Sequence, residues 1–94
     1  MDAAPVDPRD ASWEISSPTY RVYFWRAAEA PSGTPGHGGW SSDEWRLTGA
    51  RDLHEVLEWA DLRSAGRSYT LHVEVDVAEG RGLVNLAGVD PTRP

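Results

Sequence analysis

The chain has 94 residues, with fifteen acidic residues against nine basic ones, a formal net charge of −6 and no cysteine. That length allows one domain with a thin core, and the charge opposes binding to nucleic-acid phosphates, which needs a basic footprint. Disulfides, thiolate chemistry and sulfur-liganded zinc are excluded by the absence of cysteine, and a Schiff base or P-loop lysine by the absence of lysine.

Residues 1–11 hold two prolines, three aspartates and little to bury, and are expected to form a flexible tail. A single α+β domain is expected over 12–90, with a C-terminal tail over 91–94. The start has neither a basic n-region nor an apolar run, so no signal peptide is expected. No stretch reaches the ~20 apolar residues of a spanning helix. A cytoplasmic protein with no membrane association is the expectation. The all-arginine basic set suggests a high-GC bacterium.

"SWEIS" alternates Trp13 and Ile15 with polar neighbours and reads as a short edge strand ended by Pro18. "YRVYFWR", Tyr20 to Arg26, lies in the first strong strand, about residues 19–27, by its β-branched and aromatic content. Large rings stand on both of its parities, so both faces need cover. Residues 29–43, rich in glycine and proline, read as a long loop. "EWRLT" follows as a short strand with Trp45 and Leu47 on one face.

A helix is predicted where Leu53, Val56, Leu57 and Ala60 recur at i, i+3, i+4 and i+7. Asp52 and Glu55 have the spacing of a capping box, and Gly66 is placed to close the helix as its C′ residue. "YTLHVEVDV", residues 69–77, alternates without error: Tyr69, Leu71, Val73, Val75 and Val77 against Thr70, His72, Glu74 and Asp76. "AEGRG" is a turn, and "LVNLAGV" a last strand that pairs back as a hairpin. The expected fold is therefore α+β, a small antiparallel sheet of about four strands in ββαββ order with one amphipathic helix on one face. The helix should pack on Val22, Phe24, Val73, Val75 and Leu86.

His72, Glu74 and Asp76 share a face at about 7 Å spacing. An imidazole beside two carboxylates is a candidate for a metal or an acid–base pair, although alternate polar residues are also what any solvent-facing strand shows. "GTPGHGGW" lacks the Lys-Ser/Thr and the strand-to-helix context of a phosphate loop, so His37 reads as a loop residue. No serine sits in a Gly-x-Ser-x-Gly elbow. The aromatic surplus has two readings: rings hidden under the loop, or an interface rich in tryptophan, tyrosine and arginine.

The leading expectation is a small acidic, non-catalytic protein-binding module, most concretely an inhibitor or immunity-type protein acting on a basic partner. Its binding surface would be Arg21, Tyr23, Trp25, Trp45, His72, Glu74 and Asp76, with no cofactor and no metal. The alternatives are a self-associating, homodimeric structural protein, and a small metal-dependent enzyme using His72, Glu74 and Asp76.

Overall fold

A computed structural model describes residues 1–29 and 37–93. It contains four strands and one helix: β1 (Tyr20–Glu29), β2 (His37–Leu47), α1 (Leu53–Arg63), β3 (Ser68–Val77) and β4 (Gly80–Ala87). The strands form one antiparallel sheet in the order β2-β1-β3-β4. β1 is therefore an interior strand, flanked by β2 and β3, and that explains why it carries large side chains on both faces.

The side facing α1 is the core. Tyr20, Val22 and Phe24 of β1 and Leu71 of β3 are buried in one cluster with Val56 and Ala60 of α1. Trp45 and Leu47 of β2, Leu57 and Trp59 of α1, and Tyr69 pack around it. The register accounts for the grouping: Tyr20 stands between Leu47 and Val73, and Val22 between Trp45 and Leu71. Phe24 meets the rings of Trp59 and Tyr69, each at a centroid distance of 5.9 Å.

The ends of α1 differ in detail from the sequence expectation. Asp52 caps the N-terminus by accepting from the Glu55 N–H at 3.0 Å. The Glu55 carboxylate does not return to the Asp52 amide; it accepts from the Arg51 N–H at 3.3 Å and from Arg51 Nε at 2.6 Å. At the other end the left-handed turn takes two residues, Ala65 at φ 51° and Gly66 at φ 81°. Of the four apolar positions at helical spacing, Val56 and Ala60 are buried and Leu57 is half-buried, whereas Leu53 stays 38% exposed at the first turn.

Four further expectations need correction. "SWEIS" is not a strand: residues 11–19 carry no regular structure, and a single 3-10 turn over Pro8–Asp10 precedes them. β2 begins at His37 rather than Glu44, so much of the expected loop is strand; residues 30–36 of it lie outside the described residues. Pairing with β1 runs unbroken from Tyr20↔Leu47 to Ala27↔Trp40 and overrides the weak strand propensity of Ser41 and Ser42; the register shifts beyond it, between Ala27 and Glu29. β4 begins at Gly80, because the hairpin turns on Ala78 and Glu79 alone. Val73, Val75 and Leu86, on which the helix was expected to pack, are not in the core cluster.

Gly88 ties the end of β4 to β3. Its φ is +84°, and a Cβ there would overlap the Tyr69 carbonyl and stand 3.1 Å from Thr70 Cα. Gly88→Ala is expected to lower the unfolding free energy by about 1–3 kcal/mol, through strain in the left-handed region and displaced backbone. Urea unfolding followed by circular dichroism measures the loss.

Candidate functional site

The face turned away from α1 carries no helix among the described residues, yet Thr70, Trp25 and Glu74 on it are buried and Arg21, Tyr23 and His72 half-buried. Strand alternation places Arg21, Tyr23 and Trp25 there from β1, and Thr70, His72, Glu74 and Asp76 from β3. The register sets Arg21 between Arg46 and His72, and Tyr23 between Glu44 and Thr70. β4 adds Arg81 opposite Asp76, Leu83 opposite Glu74, and Asn85 opposite His72.

Glu74 is the centre of this face. It is 8% exposed, yet it carries a charge that three arginines surround. Arg46 holds it through two bonds, Nε to Oε2 at 2.7 Å and Nη2 to Oε1 at 3.0 Å. Arg21 Nε donates to Oε2 at 2.8 Å, and Arg81 Nε lies 3.4 Å from Oε1. Two-point contacts of this kind are the stronger charge-assisted hydrogen bonds. The arginine bonds, Arg46 first, pull the Glu74 carboxyl down from its ordinary 4.5 to about 2. Arg81 also reaches Asp76 at 3.1 Å, and Arg21 Nη1 donates to Tyr23 Oη at 3.3 Å.

The rings of this face pack on one another. Trp25 is buried, and its Nε1 donates to Thr70 Oγ1 at 3.0 Å. Tyr23 stands edge-on to Trp25 at 6.3 Å and against the His72 ring at 5.0 Å. Burial of the imidazole is the main cause that lowers the His72 pKa from its ordinary 6.5.

Two clefts open beside this row. One, of about 430 Å³, lies between the N-terminal segment, with Trp13 and Ile15, and the side chains of Arg46, Glu74, Asp76 and Arg81. The other, of about 390 Å³, is lined by Tyr23, His72, Leu83, Asn85, Asp90 and Arg93. Each joins apolar area to hydrogen-bonding and charged groups, the mixture that suits a protein or peptide surface.

Six of the seven residues expected at the binding surface share this outer face: Arg21, Tyr23, Trp25, His72, Glu74 and Asp76. Trp45 does not. It lies on the helix side, edge-on to Trp59 at 5.7 Å, with the Arg63 guanidinium 4.3 Å from its ring centroid. Of the six, Trp25 and Glu74 are buried and support the face from beneath.

Arg46 and Arg81 are the residues that sequence reasoning missed. Arg46 is adjacent to Trp45, so alternation alone sends it to the opposite face; the signal was present but unused. Arg81 was hidden in a stretch read as turn. Their presence changes the chemistry of "HVEVD". The Glu74 oxygens are occupied by guanidinium donors, and no three histidine, aspartate or glutamate side chains converge in a metal-binding arrangement among the described residues.

Comparison with protein-family models, with curated proteins and with solved structures found no match. No helix among the described residues is long and apolar enough to cross a membrane.

Proposed function

We propose that this chain is a small, non-catalytic protein-binding module that engages its partner through the outer face of the sheet. The observation that carries this reading is the arginine–carboxylate cluster around Glu74, set between two clefts on a face that no helix covers among the described residues. Held guanidinium and carboxylate groups present fixed directions to a partner at little ordering cost, which favours specific recognition.

The distribution of charge supports a basic partner. The face itself is nearly balanced. The acidic surplus lies outside it: four carboxylates against one arginine in residues 1–19, and four against two in residues 51–63, on the opposite side of the sheet. The net charge of −6 steers a basic surface toward the molecule and makes association sensitive to salt. An inhibitor or immunity-type protein acting on a basic toxin or nuclease fits this arrangement.

The test is saturable capture of one basic protein from lysate of the source organism. Capture is expected to weaken with salt, and to be lost when Tyr23→Ala and Leu83→Asp are combined on the outer face. Capture that ignores this double variant, or no saturable partner at all, would overturn the reading.

A further inference from the structure

The segment between the 3-10 turn and β1 is tied down at one end only. The Thr19 carbonyl accepts from the Glu74 N–H at 2.9 Å, so the root of the segment sits beside the arginine–carboxylate cluster. Pro18 has no N–H to give, and the chain bends at Ser16 and Ser17. Residues 11–18 make no hydrogen bond or ion pair among the described residues. Every second side chain from Trp13 on, namely Trp13, Ile15, Ser17 and Thr19, lines a cleft whose other wall is Arg46, Glu74, Asp76 and Arg81. Trp13 and Ile15 are still 65% and 51% exposed.

The two arginines of that wall have surface to offer. Arg46 uses Nε and Nη2 on Glu74, and Arg81 uses Nε on Glu74 and Asp76. Arg46 Nη1 and both Nη atoms of Arg81 have no partner among the described residues, and both side chains are about half exposed. A guanidinium whose edge is bound to a carboxylate still presents its flat face, and an indole is the ring that suits it best. The helix side of the molecule makes this contact: the Arg63 guanidinium lies 4.3 Å from the Trp45 centroid and 5.2 Å from that of Trp59.

Charge favours the same pairing. The cluster of Arg21, Arg46, Arg81, Glu74 and Asp76 has one positive charge in excess. In the N-terminal segment Arg9 is engaged by Asp7 at 2.8 Å, which leaves Asp2, Asp10 and Glu14 as net negative charge. Glu14 follows Trp13 in the chain and is carried to the arginines with it.

We propose that residues 11–19 are an intramolecular strap: Trp13 seats on the guanidinium faces of Arg46 and Arg81 and closes the cleft of about 430 Å³. Ser16 and Ser17 are its hinge, and one face of the indole stays in water. The strap belongs to the chain alone; that a basic partner lifts it to reach the cluster rests on the binding reading proposed above. Such a partner offers Asp10 and Glu14 a stronger counter-charge than the half-neutralised cluster, so its own charge draws the strap away.

Nuclear magnetic resonance on the intact chain tests the strap without a partner. The order parameter of the Glu14 amide is expected near the ~0.85 of rigid backbone, and Trp13→Ala should drop it below about 0.6. The same substitution should move the Nε–H resonance of Arg46 or Arg81 downfield, because the shielding of the indole is lost. The amides of Tyr23 and Trp25 should stay in place and report an intact sheet. A wild-type Glu14 amide already below about 0.6, an order parameter that Trp13→Ala leaves unchanged, or arginine resonances that ignore the substitution would each overturn the proposal. These readings hold whether or not a partner is captured from lysate, so the strap and the binding function fail separately.

Discussion

Phe24→Ala is expected to lower the free energy of unfolding by about 3–5 kcal/mol, the range for removing a buried ring without collapse of the site. Phe24 is 1% exposed and is the largest of the fully buried side chains. Its ring joins the layers: Trp59 of α1 and Tyr69 of β3 meet it at 5.9 Å, and the Arg67 guanidinium lies 4.5 Å from its centroid. Small domains sit near the lower end of the usual stability range of about 5–15 kcal/mol. One substitution would therefore remove most of what holds the chain folded. Urea unfolding of the variant measures the loss. A change below about 1 kcal/mol, well short of the range for buried rings, would mean that the helix layer does not depend on this ring.

The second large effect belongs to Glu74, and it is expected to depend on pH. The folded protein holds this carboxyl at about 2, against an ordinary value of 4.5. A depressed carboxyl stabilises the fold fully above its unfolded value, and loses that contribution as protons bind. Stability should thus fall as pH drops from about 4.5 through about 2. Glu74→Gln keeps the shape but leaves Arg21, Arg46 and Arg81 crowded without their shared counter-charge. At neutral pH it should lower the midpoint of thermal unfolding by roughly 5–10 °C. The same variant should also show a flatter stability profile between pH 4.5 and 2 than the wild type. Parallel profiles for the two proteins would show that the acid response arises elsewhere.

The elements that were legible in the sequence are those whose signals are local. Asp52 before a helical apolar pattern, and nine alternating residues in β3, need no knowledge of their neighbours. β2 could not be read past Glu44, because Ser41 and Ser42 are strand only through pairing with β1. For the site, alternation correctly grouped Arg21, Tyr23 and Trp25, and separately His72, Glu74 and Asp76. Alternation says which side chains of one strand share a face. The side of the sheet that Trp45 joins is decided by Val22↔Trp45, a contact across 23 residues of chain. Arg46 and Arg81 come to one carboxylate by the same kind of long-range register, so the cluster had no signature in any single stretch.

The edge-on pair of Trp45 and Trp59, 5.7 Å apart at 69°, has an optical consequence. Two indoles at that separation and angle couple their transitions, and the coupling vanishes once the strand and the helix part. Near-ultraviolet dichroism therefore reports the docking of α1 on β2 with no added dye, while Trp13 and Trp40, both exposed, are available to emission quenchers. The molecule carries separate natural chromophores for its interior and its surface.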